Sequence, residues 1–562
     1  MKKFTALLAL TAVTFLMPCY SNAQEHNCLK CKDTCVEKFI IQNIDKYIKQ
    51  VQQEWQLPGM AAAFAINGKP AYAKGVGVKE LRSANGIGFS GSLASDTNIT
   101  CGGYKGVVNK PGDLIDENTV FQIGSISKSF TATVIATLID EGKLKWDDTV
   151  KNILSDFKMY DPWVTANMQL KDVMTHGTGL AGQAGTYIPN LGYSRDDVYK
   201  MIALIKPAYS FRGSYEYNNI TFIIAQKIIE KVTGKSWEEN VKERILEPLG
   251  MNSTSLNAQG FANSKNVATP HDYSYKGGIV TLPLYSNEQA LNWLTVVGPA
   301  GSVNSSVSDM LKYAQMHNNN GWYVNNAGDT VRVMSTKAMR TLHKGVTITS
   351  QTDARTTLYA PCWFVEQNNK YRLYFHTGTT WGMTALCFYV PQFNLSGVIL
   401  VNSEANSSPR YAIMRRLIDL TIGIDTLKDY SKEDFTQWYA TAKKDWDKEK
   451  AEGALVADSI AKGLKVLPII PNSKALVGKY DKDELFGDAK ITLEKGELYI
   501  AIGKMGFKNK MTNIQGAKYE FRSDGHAFPI KFTMDEKGEK AIGFVVEFNY
   551  GEEKDFGGWT RK

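Results

Sequence analysis

Between residues 359 and 402, four apolar runs at 361–366, 371–375, 384–390 and 395–401 follow one another across short gaps. Parallel neighbours need a connection of a dozen or more residues, so this spacing predicts strands joined antiparallel, one after the next. Near the other end, 60–66 and 70–78 flank Asn67-Gly68, the dipeptide favoured in a two-residue hairpin turn. Apolar residues recur at helical spacing over 36–56, over 129–141 with Gly142 as the stop, and over 220–232, ended by Gly234. Strands at both ends with helices between them predict an α/β (α+β) fold, an antiparallel sheet flanked by helices. The span 251–305 reads as loop-rich.

The chain of 562 residues, 43% hydrophobic and 22% charged, exceeds what one core holds, since single cores stop growing near about 250–300 residues. The surplus domain is legible at 475–562, where short strands at 489–493, 497–502, 518–522, 530–534 and 543–549 predict a small all-β barrel or sandwich. Residues 428–464, rich in Lys, Asp and Glu and closed by Pro468 and Pro471, predict a helical linker. Residues 83–112, rich in Gly, Ser and Asn, predict an irregular insertion that controls access to a pocket. The expected division is 1–23, 24–35, 36–425, 426–474 and 475–562.

Met1-Lys2-Lys3, the apolar stretch 5–17 and Ser21-Asn22-Ala23 have the layout of an export signal, which predicts a periplasmic or extracellular protein with no integral membrane span. The net charge of +8 is diffuse, with no basic stripe, so nucleic acid is not an expected partner. In an oxidising compartment the default for Cys28, Cys31, Cys35, Cys101, Cys362 and Cys387 is disulfide pairing. Cys28, Cys31 and Cys35 read as a local staple, with Cys101 as a candidate partner; a metal site there would need a fourth ligand, Cys101 or His26, and none is assigned. Cys362 and Cys387 fall in strand-like runs whose pairing stays open.

Gly-x-Ser-x-Gly and His-Glu-x-x-His are both absent, which removes two common hydrolase classes. Ser-x-x-Lys occurs at Ser125/Lys128, Ser155/Lys158 and Ser459/Lys462. Only the first heads an apolar helix, where a three-residue step returns to the same face and sets an amine beside a hydroxyl. Burial there would lower the lysine towards the range of a useful base. Taken alone, the tetrapeptide fits a helix cap beside a solvated lysine better than it fits a catalytic pair.

Two further motifs change that balance: Tyr217-Asn218-Asn219 just before the helix at 220–232, and His376-Thr377-Gly378 at a strand end. With Ser125-Ile126-Ser127-Lys128 they resemble, in order and wide spacing, the three motifs of penicillin-recognising serine hydrolases. The class C β-lactamase-like group, with its D-alanyl-D-alanine carboxypeptidases, D-aminopeptidases and esterases, is the best match. Met174-Thr175-His176-Gly177-Thr178-Gly179-Leu180 and Gly298-Pro299-Ala300-Gly301-Ser302 resemble loops of the same group, and the likeness covers about residues 36–420. The tail from Val477-Gly478-Lys479-Tyr480 resembles the lipocalin-like β-domain often appended to such enzymes.

The resemblance implies a β-lactamase/transpeptidase-like fold and a serine hydrolase working through an acyl-enzyme without cofactor or metal. Ser125 would be the nucleophile, Lys128 and Tyr217 the proton-transfer groups, and Asn219 the residue holding lysine and substrate. Backbone N–H groups of Ser125 and Thr379 would form the oxyanion hole. His376, Thr377, Gly378 and Thr379 would bind substrate, His376 as a partly charged group where β-lactamases carry lysine. His176 would shape a turn, and Trp363, Trp381 and Tyr389 divide between pocket wall and core. The implied substrates are small peptides, D-residue-containing and peptidoglycan-derived ones foremost, or esters. β-Lactams and a non-turnover penicillin or cell-wall receptor are the alternatives.

Overall fold

The computed structural model describes residues 29–81, 100–101, 104–105, 114–274, 278–281, 288–325, 327–404, 408–424 and 472–562, the last with two-residue breaks at 484, 504, 516, 524 and 551. The export leader, all of the 426–474 linker up to residue 471 and nearly all of the 83–112 insertion lie outside these residues.

The main sheet has eight antiparallel strands. In chain order they are β1 (Gly59–Ile66), β2 (Lys69–Gly77), β3 (Thr347–Gln351), β4 (Arg355–Ala360), β5 (Trp363–Asn368), β6 (Arg372–Thr380), β7 (Met383–Val390) and β8 (Leu395–Val401). Their spatial order is β3-β4-β5-β6-β7-β8-β1-β2, so the first strand closes against the last, with Ala62 opposite Ile399. Every residue of β1, β7 and β8 is buried, and these strands read as unbroken apolar runs because both faces of the sheet are covered.

One face packs on two helices from the ends of the segment, α1 (Leu29–Glu54), through Ile44, Ile48 and Val51, and a later helix carrying Ile413 and Leu417. The opposite face carries the small side chains Ala61, Ala63 and Ala65 and receives the helices of the long insertion between β2 and β3. At their centre α2 (Ser127–Asp140) is buried from Ser127 to Leu138, as expected of a helix surrounded by protein. Around it lie α3 (Phe222–Thr233), stopped at Gly234 with φ +70°, and α4 (Val307–Asn318). The later helix of the first face is α5 (Ser408–Thr421).

The second sheet is a meander of β9 (Gly478–Asp483), β10 (Gly487–Glu494), β11 (Glu497–Ile502), β12 (Phe507–Gln515), β13 (Lys518–Ser523), β14 (His526–Met534), β15 (Ala541–Tyr550) and β16 (Glu553–Thr560). Tyr480 bridges Arg561, and the Lys562 amide reaches Lys479 O at 3.1 Å, so the sheet nearly closes on itself. Tyr480, Ile491, Ile500, Phe532, Phe544 and Trp559 fill its interior, as side chains do in small barrels.

Three expectations are corrected. The helix expected from residue 36 begins earlier, at Leu29, and runs through Cys31 and Cys35, with Cys35 a free, exposed thiol. Cys362 and Cys387 are free, buried thiols and not a cross-sheet disulfide. Cys28 and the side chains of Cys31 and Cys101 lie outside the described residues. The His376-Thr377-Gly378 motif is interior to β6 and does not end it, since pairing with β7 continues to Thr380 opposite Met383. Strands β3, β4, β9, β12 and β16 are absent from the expected set; in β3 and β4 exposed or half-exposed polar residues interrupt the alternation.

Candidate active site

Ser125 occupies a 3₁₀ turn, Gly124–Ile126, that feeds directly into α2. Gly124 has φ +52°, and a Cβ on it would lie 2.7 Å from Thr379 N. On the facing strand, a Cβ on Gly378 would lie 1.8 Å from Ile123 O and 3.1 Å from Ser125 N. Two glycines thus let the turn and β6 touch backbone to backbone, which brings the amides of Ser125 and Thr379 onto facing segments. The turn is locked by Ser127 Oγ, which donates to Gly124 O (2.7 Å) and accepts from the Val303 amide (3.0 Å). The pairing of β5 with β6 ends at Phe375, so residues 376–380 have a strand partner only on the β7 side.

Lys128, one turn on, is completely buried. Its Nζ contacts Ser125 Oγ at 3.0 Å, Asn219 Oδ1 at 2.7 Å and Ala300 O at 3.0 Å. Burial pulls its pKa down to about 7. Two of the three partners, an amide oxygen and a carbonyl, can only accept hydrogen bonds. A neutral amine therefore spends both protons on them and leaves its lone pair facing Ser125 Oγ. The Tyr217 ring centroid is 4.6 Å from Nζ and that of Phe222 5.3 Å, so aromatic faces await the cation that forms on proton uptake.

Burial raises the Tyr217 pKa well above the ordinary tyrosine value, with the nearby Ser125 hydroxyl opposing part of the rise. The phenol is the stable form, which suits proton relay. Asn219 reaches Lys128 because Asn218 beside it is fastened: its amide donates to His176 Nδ1 (3.1 Å) and its Nδ2 to Ala184 O (2.9 Å). Asn219 Nδ2 in turn donates to Gln183 Oε1 at 2.8 Å. Gln183 and the Ala300 carbonyl complete the lysine's surroundings. Neither is visible in the sequence, since one acts through its backbone and the other lies in no motif.

His376 lies on the Ser125 side of β6 but is 1% exposed. Nδ1 lies 2.7 Å from Thr377 O, which can only accept, so the ring proton sits there and Tyr359 donates to Nε2 at 3.0 Å. Burial, with the nearby Lys128, lowers its pKa to about 3. This corrects the partly charged histidine read from the sequence: the ring is neutral, and both nitrogens are engaged within the protein. Thr377 is half-buried, beside Tyr411 of α5. Thr379 is exposed, and its backbone faces Gly124 of the Ser125 turn. His176, at φ +59° and fully buried, forms the turn read for it, its ring 4.4 Å from that of Tyr217. Trp363 and Tyr389 are core, whereas Trp381 packs edge-on against Trp293 with centroids 4.9 Å apart. Among the described residues no group of His, Cys, Asp and Glu could hold a metal ion, and no helix is long and apolar enough to cross a membrane.

A family model described as Beta-lactamase matches residues 44–421. The chain is 26% identical over 411 residues to the unguisins hydrolase ungD' of Aspergillus campestris, spanning 71% of this chain and 68% of that protein. It is 25% identical over 320 residues to penicillin-binding protein 4 of Amycolatopsis lactamdurans, spanning 56% of this chain and 80% of that one. Among solved structures, the octameric penicillin-binding protein homologue from Pyrococcus abyssi shares the fold over 92% of this chain and 99% of its own, at a TM-score of 0.53 and 18% identity.

Proposed function

This chain belongs to the Beta-lactamase family, whose members are serine hydrolases, and from that premise we propose that it is exported and hydrolyses amide bonds of D-residue-containing peptides through an acyl-Ser125 intermediate. The observation that carries the reading is the buried Lys128 amine, 3.0 Å from Ser125 Oγ and lowered to a pKa of about 7. An amine of that pKa is half neutral near pH 7, where an ordinary lysine at about 10.4 is almost wholly charged.

Lys128 takes the Ser125 proton as Oγ adds to the substrate carbonyl. The oxyanion is held by the amides of Ser125 and Thr379, each worth roughly 2.7–4 kcal/mol if it behaves like other oxyanion donors. Tyr217, kept protonated by burial, donates to the leaving nitrogen as the C–N bond breaks and regains a proton directly from the Lys128 ammonium beside its ring, which returns the amine to its neutral form. Water then adds to the acyl-enzyme by the same path in reverse, giving its proton to the base and releasing the acid and free Ser125. His376 offers no cation to a substrate carboxylate, which favours D-aminopeptide and amide substrates over β-lactams and free D-alanyl-D-alanine termini.

The test is turnover of a panel of D-aminopeptide, D-alanyl-D-alanine, ester and cephalosporin substrates, with intact-mass detection of the acyl-enzyme. The reading expects repeated turnover, fastest on D-aminopeptides and lost in Ser125→Ala. A stable adduct without turnover would mark a receptor instead.

A further inference from the structure

We propose that the C-terminal β-domain is part of the catalytic apparatus, clamping the segment 186–193 and through it holding Gln183 and Asn219 against the Lys128 amine. The inference rests on the reading of Lys128 as the base for Ser125, and it assigns the appended domain a positioning role.

The contact is built from both sides. In the β-domain, Gly487 opens β10 and Gly503 follows β11, at the same end of the sheet, with φ +77° and +86°. A Cβ on Gly487 would lie 2.2 Å from Tyr193 Oη, and one on Gly503 would lie 2.5 Å from both Leu191 Cβ and Leu191 O. Both positions need glycine twice over, for the left-handed backbone and for the closeness of the neighbouring segment. The Tyr187 ring meets Phe528 of β14 edge to face, centroids 5.1 Å apart, and the apolar core runs without a break from Ile188 and Leu191 into the barrel.

The clamped segment is tied to the catalytic side by polar contacts. Asn292 Nδ2 donates to Pro189 O (2.5 Å) and Tyr193 O (3.3 Å), and Trp293 Nε1 donates to Thr186 O (2.8 Å). Thr186 Oγ1 donates to Gln183 Oε1 (3.1 Å), which also accepts from Asn219 Nδ2 (2.8 Å), and Asn219 Oδ1 accepts from Lys128 (2.7 Å). Gln183 has φ +64°, a conformation its surroundings must impose. A shift of the 191 backbone therefore has a short path to the groups that set the lysine's position and proton affinity.

The experiment introduces a wedge in the full-length protein. Gly503→Ala adds a methyl at the contact. Gly496→Ala, at φ +84° with nothing within 4 Å, carries the same backbone strain without the contact and serves as control. The readouts are the acylation rate constant with a fluorophosphonate and its dependence on pH. We expect Gly503→Ala to slow acylation tenfold or more and to displace the inflection near pH 7, with Gly496→Ala unchanged in both. A wild-type rate and inflection in Gly503→Ala would overturn the inference. Should Gly503→Ala not fold, Phe528→Leu, which loosens the Tyr187 contact along with the stacking on Phe521, decides by the same two readouts. Absence of Ser125 labelling in the unaltered protein would instead defeat the reading of the site itself, so the two failures are distinguishable.

Discussion

His317 Nδ1 and His343 Nε2 lie 3.0 Å apart beneath the sheet, so one of the two rings must be a neutral acceptor. His343 also contacts the Tyr389 hydroxyl at 2.8 Å, and burial lowers its pKa to about 3 and that of His317 well below the ordinary value. His176, His271 and His376 are lowered by burial as well.

Acid sensitivity follows with a definite sign. Unfolded, each ring takes a proton near pH 6.5; folded, it stays neutral to a much lower pH, so the unfolded state binds more protons in between. Stability contributed by these rings is complete above about pH 6.5 and is lost as pH falls from there towards about 3. Carboxylates held low by partners, such as Asp45 and Glu141, act only below about 4.5, which leaves the upper window to histidine. Thermal unfolding midpoints should fall steadily between pH 6.5 and pH 5; a constant midpoint across that interval would refute the argument.

Asn219→Asp is a nearly isosteric change that sets a carboxylate 2.7 Å from Lys128 Nζ. An adjacent opposite charge favours the ammonium, by about 1–3 pKa units in comparable pairs. The rising limb of kcat/KM should move up by that amount, and activity near neutrality should fall tenfold or more while the maximum at high pH falls much less. A limb that stays near pH 7 would contradict the assignment of that limb to Lys128.

Gly378→Ala would force a methyl to within 1.8 Å of Ile123 O, which only a retreat of β6 from the Ser125 turn can relieve. Comparable overpacking costs about 1–3 kcal/mol. Because the Thr379 amide moves with the strand, acylation should drop about a hundredfold or more, in line with loss of one oxyanion donor. Acylation at the unaltered rate would show that the contact between turn and strand is dispensable.

What the sequence reveals of this site is the part carried by side chains in fixed local patterns. Ser125 and Lys128 are legible because a three-residue helical step brings them together, and Tyr217 with Asn219 because they precede a strongly apolar helix. The Ala300 carbonyl is invisible because every residue has one, and Gln183 because its role depends on a loop folding back to Asn219. His376 shows the opposite failure: its motif is plain, yet its charge depends on burial that only the folded sheet supplies, and its Nε2 is engaged by Tyr359, which the pairing of β4, β5 and β6 brings within 3.0 Å. In the second sheet the strands with alternating buried residues, such as β10 with Ile491 and β11 with Ile500, are the readable ones. The Asn67-Gly68 hairpin is plain because both residues take positive φ, 51° and 75°.

The central claim, that a neutral Lys128 removes the Ser125 proton, is tested most directly by the pH dependence of Ser125 acylation from about pH 5 to about pH 9 with a fluorophosphonate, in the wild type and in Lys128→Met. The account predicts a rate that rises through an inflection near pH 7 in the wild type, and in Lys128→Met a rate lower by about 10²–10⁴ with that inflection gone. A rate independent of pH, or an inflection near pH 7 that survives the loss of the amine, would contradict it.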